Sequence, residues 1–268
     1  VHKDQPVLAG SRVRHRGDPV ALVLAEDKKA LKKALDLIVA DIEPIPAVFD
    51  PEEALKPDAP LVQEKGNILL KAEIAKGKGI EESFAECAFV VEESLEVPFQ
   101  DHAFLETQNG VAWQEPDGSI VMISSTQAPF RDRFEISHAL GLSPGSIRII
   151  SPFLGGGFGG KDGATVQCLL ALAAMNAAGR PVKMVWDREE CFIAGYKRHA
   201  ARMYFRLGAG EDEGNPLTSR RPRWRSFPWA AESFSPVLHT GCQESAFSTS
   251  ARSISTGPMS NTVNSCGM

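Results

Sequence analysis

No two cysteines in this sequence stand in a C-x-x-C pair. The five present, Cys87, Cys168, Cys191, Cys242 and Cys266, are scattered, so a thiolate zinc or iron–sulfur site built by this chain is not expected. An odd number without close spacing suits a reducing cytosol, and a cytoplasmic location is the expectation. Long apolar runs are missing too. The nearest, residues 166–178, is interrupted by Gln167 and Asn176 and is too short to span a bilayer. Nor is there an excess of one charge. The formal net charge is −5 over 268 residues, and the arginines at 220, 221, 223 and 225 are offset by Glu211, Asp212 and Glu213, so nucleic-acid binding has no electrostatic support. The start, Val1-His2-Lys3-Asp4-Gln5-Pro6, has neither an initiator Met nor a signal-peptide pattern and reads as truncated.

What is present is a mixed succession of strands and helices. Residues 12–16 and 19–25 read as strands around Gly17-Asp18. A helix over 27–40 follows, with Ala30, Leu31, Ala34, Leu35 and Ile38 on one face. Residues 1–66 thus make a small α/β unit, and 67–100 a connecting segment with a short helix near 80–87 and a strand near 88–97. Residues 111–113 and 119–123 read as a hairpin around Glu115-Pro116-Asp117-Gly118. A helix over 129–140 starts at Pro129 and stops at Gly141. A strand over 147–153, a helix over 164–178 and a strand over 182–186 complete residues 101–210. Beyond Gly210 the periodicity disappears. Residues 211–268 are rich in Ser, Pro and Arg and poor in aliphatics, and read as a disordered tail or the product of a frameshift.

The sharpest local feature is Gly155-Gly156-Gly157-Phe158-Gly159-Gly160-Lys161-Asp162 between a strand and a helix. Glycines there let backbone approach a ligand closely, and a helix start beyond them would favour an anion. A tightly packed turn accounts for a glycine run equally well. Gly155, Gly160 and Lys161 fit a P-loop, but Asp162 stands where a hydroxyl should reach Mg²⁺. Gly155, Gly157 and Gly160 also fit a dinucleotide fingerprint, with Asp187 later than the usual acid.

A third reading rests on several segments together. Ser124-Ser125-Thr126-Gln127, then Leu154 through Lys161, then Asp187-Arg188-Glu189-Glu190 and Arg198-His199 closely resemble the first molybdopterin-binding domain of the xanthine dehydrogenase/aldehyde oxidase family. Asp101-His102-Ala103-Phe104-Leu105-Glu106 resembles the segment that leads into it. Residues 13–21 and 50–55 resemble the end of that family's hammerhead domain. The resemblance covers about residues 5–209 in the family's order. It implies an α+β (mixed α/β) chain: the C-terminal part of a hammerhead domain, then the first part of a molybdenum-cofactor-binding domain over 101–210.

By the same resemblance the metal is held by the dithiolene sulfurs of a pterin rather than by protein side chains. Gln127, Gly157, Phe158 and Gly159 match cofactor-binding positions, Gln127 offering its neutral amide to a molybdenum oxo group. Asp162 matches a substrate-binding position. The alternatives are that Gln127 caps the following helix and that Asp162 is an acid favoured by a helix dipole. His102 and Glu106 read as structural. The implied reaction is the oxidative hydroxylation of an aldehyde or N-heterocycle with water-derived oxygen. Implied partners are an iron–sulfur subunit carrying 2Fe-2S clusters, an FAD subunit and, for the full-length parent, further copies of itself. The family's general-base Glu has no counterpart in these residues, so a fragment inactive alone is expected.

Overall fold

The structure, a computed structural model, describes residues 5–74, 77 and 79–209, with two short strands at 231–232 and 252–255. Its elements run β1 (Leu22–Ala25), α1 (Lys28–Asp36), α2 (Ile80–Ala85), β2 (Phe89–Val97), β3 (Gln100–Asp101), β4 (Asn109–Gln114), β5 (Ile120–Ser124) and α3 (Pro129–Leu140), then β6 (Ile147–Ile150), α4 (Gln167–Met175), β7 (Val182–Val185), α5 (Arg188–Ala194), β8 (Lys197–Arg198), β9 (Ala201–Ala209), β10 (Ala231–Glu232) and β11 (Arg252–Ser255). Apart from β10 and β11, the segment 211–268 expected to be a tail lies outside the described residues.

The chain falls into two compact units. One takes the described residues of Val48–Gln100 and Arg198–Leu238. Its frame is a long antiparallel pair, β2 with β9, from Phe89 opposite Ala209 to Val97 opposite Ala201, and β10 pairs with β9. Arg206 lies 4.1 Å from the centroid of the Phe84 ring and pairs with Glu92 at 2.8 Å and Glu81 at 3.0 Å.

The other unit takes the described residues of His2–Ala47, Asp101–Lys197 and His239–Met268. It holds a six-stranded sheet in the order β1-β11-β7-β4-β5-β6. The β4–β5 hairpin turns as expected: Gly118 has φ +86°, and Glu115 N–H donates to Ser119 O at 2.8 Å. From β5 the chain crosses through α3 to β6, which pairs with β5 in parallel. Helix α3 ends on Gly141 in the left-handed conformation, the stop expected of a glycine there. Beneath the sheet lies α4, with Leu169, Leu170, Ala171, Ala173 and Ala174 all buried, because it is apolar on nearly every face. It comes close to β4 because that strand is small there. A Cβ on Gly110 would meet Leu170 Cδ1 at 2.7 Å, and Ala112 is wholly buried beside Met122, Ile136 and Met184 in one core.

Three expectations need correction. Residues 12–16 form no strand. The Asp18 carboxylate instead accepts the N–H of Arg14 at 2.7 Å and of His15 at 3.3 Å, and such side-chain bonding competes with a strand ladder. Helix α1 stops at Asp36, before Leu37 and Val39, which are exposed. Helix α4 begins at Gln167 rather than 164, so no helix starts directly behind the glycine loop.

Candidate functional site

The glycine loop links β6 to the turn before α4. Gly156 and Gly159 have φ of +99° and +97°, where a side chain would be strained. Phe158 shares that region at φ +51°, an outlier for a bulky residue that must be held by its surroundings. Phe158 is 75% exposed. Gly160 N–H closes onto Gly157 O at 2.7 Å, which curls the loop into a tight turn.

Gln127 follows the end of β5 and is bound to this loop, not to α3. Its Oε1 accepts the N–H of Gly159 at 3.0 Å and of Lys161 at 3.3 Å, and its own N–H donates to Lys161 O at 3.0 Å. Helix α3 carries no side-chain cap, and Thr126 Oγ1 accepts the N–H of Ala128 just ahead of it at 3.1 Å, so Gln127 does not cap that helix. With Oε1 committed, the amide nitrogen has no partner among the described residues, and the side chain is exposed. Gly157 is where loop and amide touch: a Cβ there would collide with Gln127 Oε1.

Lys161 does not face a ligand. Its side chain is wholly buried, with Nζ 2.9 Å from Glu106 Oε2, 2.6 Å from Ser125 Oγ and 4.8 Å from the Phe104 ring centroid. An ammonium so engaged cannot cradle phosphates, so the geometry gives the P-loop reading no support. Its partner Glu106 lies outside the glycine motif, where no local pattern marks it. Burial alone would raise the Glu106 carboxyl, but hydrogen bonds from Ser125, Gly155, Lys161 and Asn109 outweigh it and hold the group down to about 2.

Asp162 stands five residues ahead of α4, beyond the reach of that helix's dipole. It is half-exposed and pairs with Arg131 on α3 at 3.3 Å, while Arg131 also holds Glu135 at 2.8 Å. His102 lines the same loop from the other side, its ring 3.4 Å from where a Gly159 Cβ would sit and its Nδ1 3.3 Å from Tyr196 O. Asp187 caps α5 in a reciprocal pair with Glu190, and Arg188 donates to Leu105 O at 2.9 Å. Among the described residues no cluster of His, Cys, Asp and Glu could hold a metal ion. Nor is any helix there long and apolar enough to cross a membrane. Burial pushes the Cys168 thiol up to about 12.

Behind the site, α3 buries Asp132 completely, with no well-formed hydrogen bond to either carboxylate oxygen among the described residues. Burial pushes its pKa from 3.8 up to about 6, which the nearby Thr126 hydroxyl only partly offsets. The folded chain therefore binds more protons than the unfolded one between those two values, and stability falls as pH rises through that window. Glu106 acts oppositely: its stabilisation is present above 4.5 and lost as pH falls towards 2. Asp132→Asn is expected to flatten the decline between pH 4 and 6 and to stabilise the chain at pH 7 by on the order of 2 kcal/mol. Thermal unfolding from pH 4 to 8 measures this; a variant that keeps the wild-type slope would refute it.

Residues 62–217 match the family model described as "Molybdopterin cofactor-binding domain". A protein of Bacillus subtilis (strain 168), named as a probable xanthine dehydrogenase subunit, is 40% identical over 214 residues, covering 80% of this chain and 28% of that protein. The nicotinate dehydrogenase large molybdopterin subunit of Eubacterium barkeri is 36% identical, covering 78% of this chain and 49% of that one. Among solved structures, the aldehyde oxidoreductase from Desulfovibrio gigas superposes with a TM-score of 0.65 at 26% identity, over 69% of this chain and 20% of that chain. Quinoline 2-oxidoreductase from Pseudomonas putida 86 gives 0.62 at 26% identity, over 69% and 24%. The chain thus spans less than half the length of each of these relatives.

Proposed function

The chain belongs to the molybdopterin cofactor-binding domain family, and from that premise we propose that it holds the molybdopterin of a molybdenum hydroxylase in the cradle formed by Gln127 and the glycine loop. The observation that carries this is the commitment of Gln127 Oε1 to Gly159 and Lys161. It leaves the amide N–H groups as an outward, neutral donor beside bare backbone. The residues fit such a group: glycines leave backbone uncovered at Gly155 and Gly159, Phe158 projects the loop's exposed side chain, and the Gln127 amide is an uncharged donor, suited to a polarised oxygen. Gln127, Gly157, Phe158 and Gly159 would hold the cofactor, and Asp162, fixed by Arg131, would orient substrate. When bound, the cofactor supplies the two-electron oxidation and oxygen transfer. This chain's part is to place a donor, shape the wall and exclude water.

The complete enzyme to which this reading belongs hydroxylates an aldehyde or N-heterocycle. It passes electrons through 2Fe-2S clusters and FAD carried by partner chains or further domains. The B. subtilis and E. barkeri proteins are each named as one subunit among others, which supports that assembly. Within residues 1–268 the proposal assigns no catalytic base.

The test compares Gln127→Ala and Asp162→Ala in the complete enzyme. Gln127→Ala is expected to lower kcat by roughly 10- to 100-fold while KM changes little. Asp162→Ala is expected to retain molybdenum but shift the preference between heterocycles and aldehydes. Loss of thermal stability alone, with both kinetic profiles intact, would show that these residues serve only the fold.

A further inference from the structure

One carboxylate oxygen gathers both ends of the glycine loop. Glu106 Oε2 accepts the Gly155 N–H at 2.9 Å where the loop begins, and the Lys161 ammonium at 2.9 Å just past its end. The same oxygen accepts the Ser125 hydroxyl at 2.7 Å, two residues before Gln127. Lys161 Nζ donates in turn to Ser125 Oγ at 2.6 Å, so three segments of chain close into one ring. The Glu106 backbone joins in, its N–H donating to Gly155 O at 3.1 Å. The approach is so close that a Cβ on Gly155 would sit 2.5 Å from Glu106 Cβ.

Two physical facts give this ring its importance. Five of the six residues from 155 to 160 are glycine, so the loop has little stiffness of its own and takes its shape from what ties it. Lys161 is wholly buried, so its ammonium depends on Glu106 for a counter-charge.

We propose that Glu106 is a positioning residue for the cofactor cradle. By bringing Gly155, Lys161 and Ser125 to one point, it sets where the Gln127 amide stands relative to the loop backbone. This rests on the reading of the loop as that cradle. Glu106 acts through the loop, and Lys161 is its internal counter-ion instead of a ligand for an anion.

The test uses Glu106→Gln and the charge-balanced pair Glu106→Gln with Lys161→Met, which spares the fold an unpaired buried ammonium. Two quantities are read on the full chain of each. One is hydrogen exchange at the Gly155, Gly159 and Lys161 amides in cofactor-free protein. The other is molybdenum and pterin content after expression in cells that make the cofactor. The double variant is expected to stay folded, to exchange those amides about tenfold faster or more, and to retain roughly 10- to 100-fold less molybdenum. Unchanged exchange in the folded double variant overturns the positioning role. Faster exchange with undiminished molybdenum overturns it differently, because the tie would be real and the cradle would lie elsewhere. If the double variant does not fold, Ser125→Ala removes a single member of the ring, and the same outcomes apply at smaller amplitude.

Discussion

Gly157→Val is expected to strip the complete enzyme of its cofactor. The backbone at Gly157 is not in the left-handed region, so the substitution meets no conformational prohibition. What it meets is Gln127: the new Cβ would collide with Oε1 and lie 2.7 Å from Cδ and 3.0 Å from Cγ. Those atoms cannot swing aside without giving up the bonds from Gly159 and Lys161. The branched methyls of valine add further volume at a crowded point of the loop. Molybdenum content should fall by roughly 10- to 100-fold, with a smaller change in melting temperature because the loop lies outside the core. Gly159→Ala should fail for another reason, since the His102 ring at 3.4 Å leaves room for a methyl but φ is +97°. Normal molybdenum content in Gly157→Val would refute the contact between loop and amide as the feature that matters.

Leu170→Ala is expected to be the most destabilising truncation of a single side chain in the sheet-bearing unit. Leu170 is wholly buried on α4, against the notch that Gly110 leaves in β4. Helix and strand are already in close contact, so the cavity cannot collapse by simple approach. The cost should be on the order of 3 to 5 kcal/mol, or a fall of roughly 10 °C for a chain of this size. Calorimetry measures it directly. A loss under about 1 kcal/mol would mean that α4 repacks freely over the sheet.

Elements defined by local chemistry are the ones legible in the sequence. Glu115-Pro116-Asp117-Gly118 specifies a turn wherever it stands, and Pro129 and Gly141 bracket α3 by their own backbone preferences. The same logic misreads residues 12–16, where the Asp18 side chain wins the backbone donors from any strand. Strand β9 and helix α5 carry signals that the sequence expectations pass over. In β9 the apolar Ala201, Met203, Phe205, Leu207 and Ala209 alternate with Arg202, Tyr204, Arg206 and Gly208, a period of two that marks a strand, and α5 is short, although the Asp187/Glu190 capping pair marks its start. Resemblance points to Gln127 and the loop but not to their geometry, because an amide can point toward a helix or toward a loop from the same sequence. Lys161 is the clearest case. A lysine after a glycine run suggests a ligand-facing cation, while the carboxylate that draws it inward lies 55 residues upstream.

The cradle also has a place in time. Its ties come from residues 106, 125, 127, 155 and 161, which lie in the segments before β4, after β5 and after β6. The full set cannot meet before the β4–β5 hairpin has formed and β6 has docked beside it. A chain still emerging or only partly folded therefore offers no pocket to be filled, and loading must follow folding. Once a ligand is held, mass action makes it a stabiliser of the very arrangement that admitted it.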